Sequence, residues 1–158
     1  MHIFTALLCV SLVMVPGSSS LPTKEEGLRN TRTSIVHIAK ITLEHINQLR
    51  TKLPVAPGIV SSPPSIEGLT NISHDLVLLD NKLQCPPTEI FIQIRADVSS
   101  LEGLVRFLAS TMDCPIPARL TGQPGDNAFP DTQHHLTLTT VQQYLETFLL
   151  HKDKLKVC

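Results

Sequence analysis

The stretch from Thr88 to Cys114, TEIFIQIRADVSSLEGLVRFLASTMDC, limits most strongly what this chain can fold into. Ile90, Ile94, Val98, Leu101, Val105, Leu108 and Met112 recur at steps of three or four, which puts them on one face of a helix. Gly103 is its one glycine, and no proline interrupts it until Cys114-Pro115 forbids further helix. A helix this long, apolar along one side, has to lie against other helices, so the expectation is a bundle. Beside the core stripe, Gln93, Ala96, Ser100, Gly103, Leu104 and Phe107 form a second face of mostly small groups. An aromatic ring among small residues, off the core stripe, is either a partner site or the edge of the core.

The rest of the chain supplies the other helices. The spacing predicts a helix over 25–53, with Leu28, Ile35, Ile38, Thr42, Ile46, Leu49 and Leu53 as its stripe and Thr31 and Ala39 on the flanks. Val36 and Leu43 sit on one shoulder and Ile41 on the other. LPVAPGIVSSPPS then makes an extended connection, and Ile59 and Val60 break its polarity. A shorter helix over 70–84 carries Leu69, Ile72, Leu76, Leu79 and Leu83, and Cys85-Pro86-Pro87 turns the chain tightly into the long helix. After CPIPARLTGQPGDNAFPDTQHH, a last helix over 136–156 carries Leu138, Val141, Leu145, Phe148, Leu149 and Leu155, with Lys152, Lys154 and Lys156 in its final turn. Long connections let successive helices run parallel, and a short one forces them antiparallel. The order long, short, long therefore predicts an all-α four-helix bundle, up-up-down-down, with two long crossover loops.

The chain opens MHIFTALLCVSLVMVPGSSSLP. Residues 3–15 are almost wholly apolar, too short for a membrane span, and followed by small residues. This is the pattern of a secretory signal cleaved after Ser20, leaving 21–158 as one soluble domain with no later run of membrane length. Cys85, Cys114 and Cys158 then remain, an odd number for an oxidising compartment. Three pairings are possible. Cys114–Cys158 is favoured because each cysteine follows a predicted long helix, and Cys85 is left over.

Little chemistry stands outside the core stripes. The formal net charge is −1 without a basic stripe, so nothing recommends nucleic acid. No nucleophile elbow, phosphate-cradling glycine loop, HExxH or apolar carboxylate pair is present, and Ser99-Ser100 lacks a base nearby in sequence. His134-His135 diverge by ~100° on a helix and have no ligand set at zinc spacing, so they read as solvated. No metal or cofactor is expected. Asn71-Ile72-Ser73 is the only N-glycosylation sequon, with Ser73 alternatively capping the helix. The pattern is that of a monomeric binding protein: a hormone or cytokine that engages a receptor through helix faces, or a carrier of an apolar ligand. The dense leucine and isoleucine stripes argue against a carrier cavity.

Several segments resemble the leptins, a family of four-helix cytokine hormones. Thr31-Arg32-Thr33-Ser34-Ile35 is similar to the family's TKTLI, and Ile92-Gln93-Ile94 with Asp97, Leu101 and Leu104 to its IQISNDLENLRDLL. Cys114-Pro115-Ile116-Pro117 is similar to CHLP, and a final cysteine is shared. The resemblance implies a Cys114–Cys158 disulfide and binding to the ectodomain of a single-pass class I cytokine receptor. It implies a high-affinity receptor site at Asn30, Thr33, Val36, His37 and Ile41 and at Gln93, Ser100, Gly103 and Leu104; periodicity adds Phe107 to this face. A second, signalling site falls on Pro57, Gly58, Ile59, Val60, Thr132 and Gln133. The chain departs from the family at Val36 and Ile41, where charged or polar residues are usual, and at Gly103, where an acidic one is. Leu150 stands where mammalian forms have tryptophan, and Cys85 and the sequon are additional.

Overall fold

The computed structural model describes residues 21, 23–53, 62–84, 89–119 and 130–158, with side chains in the last segment from residue 133 on. Helix α1 spans Lys24–Arg50, α2 Leu69–Gln84, α3 Ile92–Thr111 and α4 Pro130–Leu150. One 3-10 turn, Glu89–Phe91, leads into α3, and another, Lys152–Lys156, follows α4. Among the described residues there is no strand.

Polar cross-links fix the direction of each helix. His45 on α1 bonds Asp97 on α3, and Arg32 reaches Met112 just past the end of α3, so α1 and α3 are antiparallel. Arg50 Nη2 donates to Thr139 Oγ1 at 2.9 Å, and Arg32 Nε donates to the Leu155 carbonyl at 3.2 Å, which sets α1 antiparallel to α4. Arg95 lies 3.9 Å from Asp80 at one end of the α2/α3 pair, and Thr70 Oγ1 donates to the Pro115 carbonyl at the other. Thus α1 and α2 point one way and α3 and α4 the other. The architecture is an up-up-down-down four-helix bundle, with α3 packed on both α1 and α2.

The core follows the apolar stripes. Leu69, Ile72, Leu76, Leu79 and Leu83 of α2 are all buried, as are Ile35 and Ile46 of α1 and Leu138, Val141, Leu145 and Phe148 of α4. Thr42 fits the same stripe because its hydroxyl donates to the Ile38 carbonyl at 2.7 Å, so no polar group is left bare. Tyr144 is buried on α4 with no hydrogen bond of good geometry. Burial, then the neighbouring Asp75 carboxylate on α2, raises its phenol well above the ordinary value.

Three expectations are corrected. Ile90 is 45% exposed, and Phe91 takes the core position at 2%. The Glu89–Phe91 segment winds at ~3 residues per turn rather than 3.6, which rotates the stripe before α3 begins. The last helix starts at Pro130 rather than near 136 and ends at Leu150, so the three C-terminal lysines lie in a 3-10 turn. His134 is not simply solvated: its ring stands edge-on to Phe91, with centroids 5.2 Å apart.

Both helix termini that meet the C-terminal segment have specific solutions. At the end of α3 the Cys114 N–H bonds the Ala109 carbonyl and the Asp113 N–H bonds Ser110, with Asp113 at φ 58°. This is a Schellman turn, and it swings Cys114 into its disulfide with Cys158. At the start of α2 the Leu69 N–H bonds the Val157 carbonyl at 2.9 Å and the Thr70 N–H bonds the Cys158 carbonyl at 3.1 Å. Two N–H groups that a helix start leaves without intrahelical partners are therefore capped by the far end of the chain. Gly68 permits this approach, because a Cβ there would fall 2.4 Å from the Cys158 carbonyl carbon. Replacing Gly68 with Ala should destabilise the fold by about 1–3 kcal/mol, whereas Gly27→Ala, in open space on α1, should stabilise it by about 0.5–1 kcal/mol. Chemical denaturation of the two variants checks both signs.

Candidate functional site: the α1/α3 flank

The hydrogen bond between His45 and Asp97 marks the line along which α1 and α3 face each other. Asp97 Oδ2 accepts from His45 Nδ1 at 2.5 Å, and its Oδ1 accepts from Gln93 Nε2 at 2.9 Å. One carboxylate thus joins the helices and orients the Gln93 side chain. At ~100° per residue, Ser34, Ile41 and His45 share a strip of α1, with Asn30 and His37 just outside it. Gln93, Asp97, Ser100, Leu104 and Phe107 share the facing strip of α3. Because the helices are antiparallel, Ile41 lies level with Ser100, and His37 with Leu104.

This flank holds most of the residues singled out in the sequence. Asn30, His37, Gln93, Ser100 and Gly103 are exposed, while Ile41 and Leu104 are half-buried. Phe107 is 59% exposed, a large cost for an aromatic ring that nothing among the described residues covers. A Cβ at Gly103 would meet nothing within 4 Å, and the Ser100 hydroxyl is turned back onto the Ala96 carbonyl. The surface is consequently open, shallow and low in charge.

One of the grouped residues lies elsewhere. Val36 turns to the other side of α1, where it lines a groove with Leu155 and the C-terminal turn, while Thr33, about 40° from His37, stands at the edge of both surfaces. The resemblance groups Val36 with His37, but the helical angle separates the two by about 100°. Of the second site, Thr132 and Gln133 lie in the first turn of α4, and Pro57, Gly58, Ile59 and Val60 fall outside the described residues, as does Cys85. Asn71 of the sequon accepts the Glu67 N–H through Oδ1 at 3.3 Å, and Ser73 is buried.

One polar cluster escaped the sequence reading. Glu102, 3% exposed, lies on the α2 side of α3 and is held by Arg106 Nε at 2.7 Å and Arg119 Nη2 at 2.5 Å. The Glu102–Arg106 spacing of i,i+4 was the visible signal. Arg119 is distant in sequence, and only folding brings it there. The trio ties the segment after Cys114 to α3. Among the described residues no group of three or more His, Cys, Asp or Glu is placed to hold a metal.

Four amphipathic helices in up-up-down-down order, with a polar-pinned core and an open flank on the first and third, have the topology of the growth-hormone and cytokine bundles. No family model matches the chain. Leptin-B of Oryzias latipes is 42% identical to it over 158 residues, spanning 100% of both sequences. The chain belongs to the leptin family, whose members are hormones rather than enzymes.

Asp97→Ala removes the partners of His45 and Gln93 together. It should lower stability by about 1–3 kcal/mol and loosen α1 against α3, read as faster hydrogen exchange in the middle of both helices.

Proposed function

We propose that the chain is a secreted, monomeric leptin-like hormone that binds the ectodomain of a single-pass class I cytokine receptor through the α1/α3 flank. Residues 1–20 act as the signal sequence and 21–158 as the hormone domain. The observation that carries this reading is Phe107. It is exposed among Ser100, Gly103 and Leu104 on a face with room for an approaching backbone, and interface energy concentrates in such apolar anchors. Asn30, His37 and Ile41 extend the contact onto α1, with Gln93 held in place by Asp97. The family membership supports the same assignment.

Ser100→Arg or Gly103→Arg places a long cation in this face. Receptor affinity, measured by surface plasmon resonance, should fall about tenfold or more, with the melting temperature unchanged because both positions are exposed. A melting temperature that falls in step with affinity would assign the face to the core instead.

The second site acts in signalling. Ile59 and Val60 are two apolar residues in a Pro/Ser-rich connection, and with the start of α4 they engage a second receptor element. Changing both to Ala should leave affinity within about twofold while reducing receptor phosphorylation in cells. Parallel loss of binding and signalling would merge the two sites into one.

A further inference from the structure

A groove of about 560 Å³ opens between the first turns of α1 and the C-terminal 3-10 turn, on the opposite side of α1 from the α3 flank. Its floor is apolar: Val36 is half-buried, and Leu155 is 1% exposed. Arg32 braces the walls, its Nε donating to the Leu155 carbonyl and its Nη2 reaching the Met112 sulfur.

The rims are cationic on both sides. Arg29 stands on α1, and Lys152 and Lys156 on the turn; all three are exposed, and among the described residues none is in an ion pair. Lys24 and Lys154 lie at the same end of the bundle. Nearly half of the chain's 13 Lys and Arg are gathered here in a protein of formal net charge −1. By contrast Arg50, Arg95, Arg106 and Arg119 are engaged with protein partners. Unspent cations beside an apolar floor are complementary to an anionic ligand that also carries apolar groups.

We propose that this groove binds an acidic segment of a polypeptide partner, one in which carboxylates flank an apolar side chain. The carboxylates would pair with Arg29 on one rim and Lys152 or Lys156 on the other, and the apolar group would cover Val36 and Leu155. Glu25 and Asp153 also line the groove. Their charge repels a uniformly sulfated polysaccharide, whereas a peptide can set its own apolar positions opposite them. The proposal goes beyond the receptor reading and does not depend on it.

The test is a titration of the 15N-labelled hormone domain with a capped hexapeptide of alternating glutamate and leucine. Amide shifts should change at Arg29, Val36, Leu155 and Lys156, and binding should weaken as ionic strength rises. The double variant R29E/K156E should lose affinity by about tenfold or more with an unchanged melting temperature. Gly103→Arg should leave peptide binding intact, which separates this groove from the receptor flank. Shifts spread over the whole surface, or equal binding by R29E/K156E, would overturn the proposal. So would tighter binding of a heparin hexasaccharide at the same amides, which would make the groove a general polyanion site.

Discussion

The carbonyls of Val157 and Cys158, bonded to the first N–H groups of α2, hold together more of this molecule than their size suggests. A helix start buried without acceptors is costly, and α2 has no side-chain cap of its own on Leu69 or Thr70. The acceptors arrive from the far end of the chain because the Cys114–Cys158 disulfide, closing a separation of 44 residues, keeps that segment in place. Thr70 adds a bond to Pro115, next to Cys114. The end of α3, the start of α2 and the turn after α4 therefore share one junction. In the chain-entropy account such a crosslink stabilises by about 4 kcal/mol, and here it also sets the register of three helices.

The two long neighbours of α3 are held differently. Against α2, α3 is apolar through its middle, with ionic contacts at Arg95–Asp80 and the buried Glu102 trio on its flank. Against α1, the specific polar contact is the His45–Asp97 pair, set between fully buried Ile35, Ile46, Val98 and Leu101. A buried charge such as Glu102 is tolerated because two guanidinium groups replace its water. Arg106 and Arg119 close over that side, whereas Phe107 stays exposed among the described residues. On the α1 side, small residues keep the exposed surface of α3 shallow.

A hormone needs surfaces that its own fold does not consume. In this chain α1 presents two of them on opposite shoulders. One, with Asn30, His37 and Ile41, continues the open face of α3. The other, with Thr33 and Val36, faces the C-terminal turn. Both depend on the same helix being clamped at His45 and Arg32, so the geometry of each surface is coupled to the packing of the bundle.

The four helices, their order and their burial stripes were legible in the sequence, because periods of three and four report which side of a helix meets an apolar interior. The direction of each helix followed from loop lengths, since a short connection cannot carry the chain back across the bundle. The shape of the ends was not legible. Whether a segment winds as α or 3-10 differs by a few hydrogen bonds, so the exchange of Ile90 for Phe91 in the core awaited the packing. Nor do spacings reveal partners far apart in the chain. Gly68 looks like any loop glycine until Cys158 lies against it, and Arg119 like any loop cation until Glu102 is buried beside it. The separation of Val36 from His37 was available as an angle, but its meaning came only when Leu155 was set opposite. Sequence determines what a helix must hide; tertiary structure decides what is brought against it, because those contacts depend on how rigid helices cross and not on distance along the chain.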